Sequence, residues 1–394
     1  MNFDMESMLV EARQRSPGLD DFGAEDFRPA LQALLQALTT EARLSATGRQ
    51  LLGERIVELL RNRLVIEAYF RKYPQIAAEP IVAPLVIVGL PRTGTTLLQR
   101  ILSCDRRFYP LLWWETRFPA PLTLVAADQL EQDAALRRTR ANAEVAAMLA
   151  AMPKLQAIHP LDAEAADEEG MLLEHSFQSF FDAYADIPGY TEWLWTHDQA
   201  PAYGYLRRLL QFLQWQKRQR GETASSGRWV LKTPHHLRQI DVLCQVFADA
   251  QVIQTHRDPL QTIPSIASFN ETLWQIYGSA VDPQRVGQQW SAIFARGMAQ
   301  TLAYRQRSAA GRFLDVWFED TLQKPLAVVA AIYEFAGLSL PADIQESMQA
   351  YLEHHRREQR PAHDYSLAHF GLSAAQIEAD FAAYRQRYIL PRGG

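Results

Sequence analysis

Apolar positions along this chain follow two periods in turn. The run Pro84-Leu-Val-Ile-Val-Gly89 is continuous and β-branched, which predicts a strand buried on both faces, and Leu97, Leu98, Ile101 and Leu102 then recur at helical spacing. The strand signal returns at 229–231, 250–256 and 312–318, and helical patterns follow at about 237–247, from Pro259 onward and at about 325–337. Strands alternating with helices at this spacing predict a parallel sheet with helices on both faces. Ahead of the first strand, Leu31, Leu34, Leu35 and Leu38 share one helical face. Leu51, Leu52, Ile56, Leu59, Leu60 and Leu64 continue the stripe after a break at Ser45 to Gly48. The fold class expected is α/β, a P-loop-like central parallel sheet flanked by helices. Residues 1–78 form an N-terminal helical extension packed on the core. Residues 79–394 form the α/β domain, with a helical insertion at about 118–220 and a C-terminal helical tail.

Composition narrows the picture. With 394 residues, 48% of them hydrophobic, the chain can bury a full core. Its formal net charge of −5 supplies no global field toward nucleic acid or anionic lipid, so any anion site must be local. Cys104 and Cys244 lie far apart without metal spacing, which fits a reducing compartment. The acidic start (Asp4, Glu6, Glu11) and the lack of a long apolar run predict a soluble, cytoplasmic protein without a membrane span. Oligomeric state is not legible.

The chemistry concentrates where the first strand meets the next helix. Gly89 and Gly94 frame four residues, and Thr95-Thr96 follow, giving G-x-x-x-x-G-T-T, the Walker A pattern without its lysine. Backbone N–H groups of such a loop converge on an anion whatever occupies the lysine position, and Arg92 is the replacement cation. Ligands of open parallel sheets bind off the carboxyl ends of the strands, where Lys232 and Arg257 also stand. So many cations imply a ligand with more than one anionic group. A nucleoside triphosphate fits poorly, because the strand at 229–231 runs into Lys232 where a Walker B strand offers aspartate to magnesium.

Here the residues resemble a family. Arg92-Thr93-Gly94-Thr95-Thr96 is similar to the 5′-phosphosulfate loop of sulfotransferases that use PAPS (3′-phosphoadenosine 5′-phosphosulfate), and Arg257 with Ser265 is similar to their 3′-phosphate pair. The order of this loop, Lys232-Thr-Pro and His256-Arg257-Asp-Pro resembles a bacterial branch related to tyrosylprotein sulfotransferases, over residues 84 to about 340. The tail from Asp364 to Leu372 is also similar to that branch. The resemblance implies sulfuryl transfer from PAPS to a small-molecule or peptidyl hydroxyl, with PAP as product and no metal. Arg92, Thr93, Gly94, Thr95 and Thr96 would hold the phosphosulfate, and Arg257 and Ser265 the 3′-phosphate. The alternatives are a P-loop kinase with a degenerate loop and a silent nucleotide-binding protein.

A base must take the acceptor's proton. Trp114-Glu115-Thr116-Arg117 looks like the Glu-Glu-Thr-Arg segment of the tyrosylprotein branch and favours Glu115. Cytosolic members carry Lys-Thr-His, and Lys232-Thr-Pro-His235-His236 offers two histidines near that position. The catalytic set expected is therefore Glu115, Lys232 and His235 or His236, with Lys232 bridging to the leaving phosphate or the transferred group. His256 is expected to support Arg257. Trp317, Phe318 and the aromatic stretch 177–195 are candidates for ligand walls or core, and Arg360 and Tyr365 for further nucleotide contacts. The cluster Asp167-Glu168-Glu169 reads as a solvated helix start.

Overall fold

The computed structural model describes residues 3–152, 161–308, 311–356 and 366–393. Five parallel strands form one sheet: β1 (Leu85–Gly89), β2 (Phe108–Pro110), β3 (Arg228–Lys232), β4 (Gln251–His256) and β5 (Phe313–Trp317), in the order β2-β3-β1-β4-β5. Four of these are the strands that the apolar runs predict. The fifth, β2, is three residues long and ends in Pro110, so it carries too little pattern to read and can occupy only an edge.

β1 is central and wholly buried, and its side chains alternate between two cores. Val86 and Val88 face the larger core, shared with Trp229, Leu231 and the insertion helix Ala200–Gln219. Leu85 and Ile87 face the other, with Leu98, Ile101 and Leu102 of α4 (Thr95–Leu102 in the chain) and Val329 and Ile332 of the Pro325–Phe335 helix.

The helices α1 (Met5–Gln14), α2 (Phe27–Thr40) and α3 (Ala46–Lys72) enclose a third core, completed by Phe177, Phe181, Tyr190 and Leu194 of the insertion. The break read at Ser45 to Gly48 is a helix start, since the Ser45 hydroxyl accepts the Gly48 N–H at 2.9 Å. Inside α3 the fully buried Arg63 donates to the carbonyls of Phe22, Ala24 and His175, at 2.9–3.0 Å. It thereby ties α3 to the segments around Phe22 and His175 through their backbone oxygens.

Gly48 packs α3 directly on the Pro259–Tyr277 helix. A Cβ at this position would lie 1.9 Å from the Tyr277 carbonyl oxygen, so only glycine fits. Gly48→Ala should lower the free energy of unfolding by about 2 kcal/mol or more, as expected for backbone-level overpacking. Urea denaturation checks it, and an unchanged midpoint would show that the two helices are not in contact there.

Candidate active site

The loop after β1 is shaped by close approach. A Cβ on Gly89 would stand 2.1 Å from the Thr255 hydroxyl and 2.8 Å from its carbonyl, so the strand end lies flush against β4. Thr93 is fully buried and turned inward, donating to the Leu90 carbonyl at 2.7 Å and meeting the Thr255 hydroxyl at 2.6 Å. Its side chain therefore serves the loop, and only its backbone remains for a ligand. Arg92 and Gly94 adopt positive φ values of 68° and 80°, which curl the loop over the start of α4. Thr95 and Thr96 open that helix, where N–H groups lack intrahelical partners and the dipole favours an anion.

Arg257, one residue beyond β4, closes the cradle. Its Nη1 donates to the Arg92 carbonyl at 2.8 Å, its Nε donates to Gln261 at 2.9 Å, and the guanidinium lies 4.0 Å from the centroid of Phe318. Phe318 is also the nearest side chain to Gly94, so one ring backs both the loop and the cation. His256 lies beneath. Its Nε2–H donates to Asp315 at 2.8 Å, and its Nδ1 meets the Tyr384 hydroxyl at 3.2 Å, which in turn receives the Arg257 N–H at 3.3 Å. It is thus a support for Arg257, as expected. Ser265 is buried on the Pro259–Tyr277 helix, and its hydroxyl has no hydrogen-bond partner among the described residues.

A cavity of about 1400 Å³ opens from this cradle. One end is lined by Arg92, Gly94, Thr95, Thr96, Arg257 and Phe318. The lining also includes His235, Glu168 and the apolar side chains of Met148, Met171, Phe180, Phe269 and Leu273. The aromatic stretch divides accordingly: Phe180 and Tyr184 line the cavity, whereas Phe177, Phe181 and Tyr190 are core. Trp317 points away from it and donates to the Tyr388 carbonyl. Arg360 and Tyr365 lie outside the described residues.

The three candidate bases sit in different surroundings. Glu115 follows β2 on the short helix Trp113–Arg117 and is fully buried. It accepts the Leu112 N–H at 3.1 Å and is paired with Lys217 at 2.6 Å and Arg220 at 3.2 Å. It is not among the described lining residues, and its neighbours Trp113 and Arg117 reach the cavity instead. Two cations from the end of the Ala200–Gln219 helix thus hold the Glu115 carboxylate.

His236 is likewise locked. Its Nε2–H donates to Glu169 at 2.7 Å and its Nδ1 accepts the Tyr203 hydroxyl at 2.8 Å. His235 is the one that lines the cavity, edge-on to Phe180, with no hydrogen-bond partner on either ring nitrogen among the described residues. Burial, then the charges of Arg238 and His236, hold its pKa well below the ordinary histidine value, so the ring is neutral at physiological pH.

Lys232 is also reached by an unexpected partner. Its Nζ pairs with Glu168 at 2.7 Å, the Thr233 hydroxyl donates to the same carboxylate at 3.2 Å, and the Lys232 N–H donates to Glu169 at 2.7 Å. Asp167 and Glu169 are buried, so the acidic cluster is no solvated helix start. The end of β3 presents a cation and an N–H that need acceptors, and only residues distant in sequence supply them. Among the described residues no group of three or more His, Cys, Asp or Glu side chains is placed to hold a metal ion.

Sheet, glycine loop and the cations at its carboxyl edge define an α/β protein whose loop lacks the Walker lysine. The profile of the sulfotransferase family matches residues 84–342, and the chain belongs to that family. It is 26% identical over 317 residues to the omega-hydroxy-beta-dihydromenaquinone-9 sulfotransferase Stf3 of Mycobacterium bovis, covering 76% of this chain and 73% of that protein. Among solved structures it resembles sulfotransferase STF1 from Mycobacterium tuberculosis H37Rv, with a TM-score of 0.82 and 30% identity over 96% of this chain and 98% of that one. Sulfotransferase STF9 from Mycobacterium avium gives a TM-score of 0.86 and 26% identity over 98% and 97%. The chain is a sulfotransferase, and the reading of its loop as a degenerate kinase loop is not favoured.

Buried neutral histidines give the site an acid limit. His175, beneath the cavity wall, is pushed down to about 3 by burial and by the nearby Arg55 charge. Below the ordinary histidine value the unfolded chain takes up a proton that the folded His175 and His235 refuse. Stability is therefore full above about pH 6.5 and falls as pH drops, the His175 share of the loss running down to about pH 3 at up to about 1.4 kcal/mol per pH unit. Thermal denaturation across this range should show a shallower acid loss in His175→Gln than in the parent, and identical slopes would contradict the assignment.

Proposed function

We propose that this sulfotransferase moves the sulfuryl group from PAPS to a hydroxyl of a small-molecule acceptor, in line and without a metal, with His235 as the general base. The observation that carries the choice of base is the unpartnered, neutral imidazole of His235 on the cavity wall, beside two candidates whose polar atoms are already engaged. A group that accepts a proton at neutral pH needs a free lone pair within reach of the acceptor, and a locked carboxylate or imidazole offers none.

The residues fit the donor. Glycine at 89 and 94 keeps the cradle open to backbone N–H groups, and Arg92, Thr95 and Thr96 would hold the 5′-phosphosulfate. The buried, unpartnered hydroxyl of Ser265 and the guanidinium of Arg257 would hold the 3′-phosphate, which separates PAPS from ATP. When bound, the donor supplies an activated sulfuryl group on a phosphate leaving group. Lys232, paired with Glu168 beside the cavity lining, would stabilise the charge that grows on that leaving oxygen, and His235 would receive the acceptor proton.

The acceptor side supports a small molecule. The relative from Mycobacterium bovis is named for a hydroxylated dihydromenaquinone, and the cavity lining here includes the apolar side chains of Met148, Met171, Phe180, Phe269 and Leu273. Among the described residues no helix is long and apolar enough to cross a membrane, and a cytoplasmic location remains part of this proposal.

Transfer of label from radiolabelled PAPS to a panel of alcohols and phenols tests the reaction. His235→Gln should lower kcat by about 10²-fold or more while leaving the Kd for PAP unchanged. Glu115→Gln should instead lower stability, because it leaves Lys217 and Arg220 buried without their shared carboxylate. A well-folded Glu115→Gln protein that has lost turnover, beside an active His235→Gln protein, would reverse the assignment.

A further inference from the structure

The C-terminal turns Ala382–Tyr384 and Arg385–Ile389 pack against the end of β4, on the residues that place Arg257. Tyr384 and Tyr388 both meet the His256 ring, with centroids 5.7 and 4.2 Å away, and Tyr388 is stacked on it at 11°. The Tyr388 carbonyl accepts the Trp317 indole N–H at 2.8 Å. Arg385 bridges Asp258 at 3.2 Å and Glu378 of the tail at 3.0 Å. Arg392 pairs with Asp320 at 2.7 Å and covers the Trp317 ring. Positions 256, 257 and 258 are thus each held by a residue 127 or 128 positions downstream.

A directed chain of hydrogen bonds runs through this contact. Arg305 donates twice to Asp315, at 2.6 and 2.9 Å, and Asp315 accepts the His256 Nε2–H at 2.8 Å. Burial lowers the His256 pKa, so the ring is neutral and its Nδ1 keeps a lone pair for the Tyr384 hydroxyl at 3.2 Å. Burial also pushes the Tyr384 pKa up, so the phenol keeps the proton it donates, and its oxygen accepts the Arg257 N–H at 3.3 Å. One residue on, Asp258 caps the Pro259–Tyr277 helix by accepting the Leu260 N–H at 3.0 Å, and Ser265 lies on that helix. The tail therefore reaches both members of the pair proposed to hold the 3′-phosphate: the backbone of Arg257 through Tyr384, and the start of the Ser265 helix through Arg385. Arg257 lines the cavity, and the described tail residues Tyr384, Arg385 and Tyr388 do not.

We infer that Tyr384 and Arg385 are positioning residues for the 3′-phosphate subsite, and that the C-terminal tail thereby sets the selectivity for a nucleotide phosphorylated at its 3′ position. The inference rests on the reading of Arg257 and Ser265 as that subsite. A guanidinium whose backbone is already fixed loses less freedom when it meets a phosphate, so bracing from behind strengthens a contact that the tail never makes itself.

The test is calorimetric titration of the full chain with PAP and with adenosine 5′-monophosphate, which lacks only the 3′-phosphate. The parent should bind PAP about a hundredfold or more tighter than the monophosphate. Tyr384→Phe keeps the ring beside His256 and removes the hydroxyl. It should cut this preference about fivefold or more by weakening PAP alone, with the Kd for the monophosphate unchanged. Arg385→Gln, which releases Asp258, should cut it in the same direction. A tail that merely stabilises the fold would leave the ratio of the two constants untouched. An unchanged preference in both variants, or equal weakening of both nucleotides, would therefore overturn the inference. A parent that binds PAP no tighter than the monophosphate would instead overturn the assignment of Arg257 and Ser265 to the 3′-phosphate.

Discussion

The contact between the end of β1 and the end of β4 is what the site depends on. Because Gly89 has no side chain, its backbone meets Thr255 directly, and the register Gly89↔Thr255 sets where the chain turns into the loop. Thr93 then hooks onto Thr255 from the loop, and Arg257, two residues past it, reaches back to the Arg92 carbonyl. One strand pair thus fixes the cradle's shape, the direction of α4 and the position of the cation proposed to read the 3′-phosphate. A larger residue at 89 would push the strands apart at the point where every one of these distances is decided.

Around that contact the protein handles charge by assignment. A chain of net charge −5 gathers Arg92, Lys232 and Arg257 at one sheet edge, and Lys232 and Arg257 each have a designated acceptor: Glu168 for the first and the Arg92 carbonyl for the second. Buried carboxylates are treated alike, with Glu115 held by Lys217 and Arg220, and Glu169 by His236 and the Lys232 N–H. Such pairs contribute little net stability, but removing one member strands the other, so they fix geometry. The His235 ring and the Ser265 hydroxyl are among the buried polar groups that lack such a partner among the described residues.

What could be read in the sequence followed from the range of the interactions involved. Continuous β-branched runs gave four of the five strands, because burial on both faces is a local property of the segment. The loop was legible because its glycines, Arg92 and the two threonines are contiguous. The choice among Glu115, His235 and His236 was not, since it depends on partners at Lys217, Arg220, Glu169 and Tyr203, all far away in sequence. Glu168 and Glu169 were misread for the same reason. Their signal was an acidic cluster beside an aromatic, otherwise buried stretch, which is a poor place for solvated charge.

The central claim is that the cradle is built for a 3′-phosphorylated nucleotide of the sulfate-donor type. Calorimetric titration of the protein with PAP and with ATP, each with and without EDTA, tests it most directly, with Arg257→Ala as the control. The account predicts tight PAP binding that EDTA does not alter, weak ATP binding, and a loss of PAP affinity of about 2 to 3 kcal/mol in Arg257→Ala. Tight magnesium-dependent ATP binding with no heat from PAP, or equal PAP affinity in the variant and the parent, would contradict it.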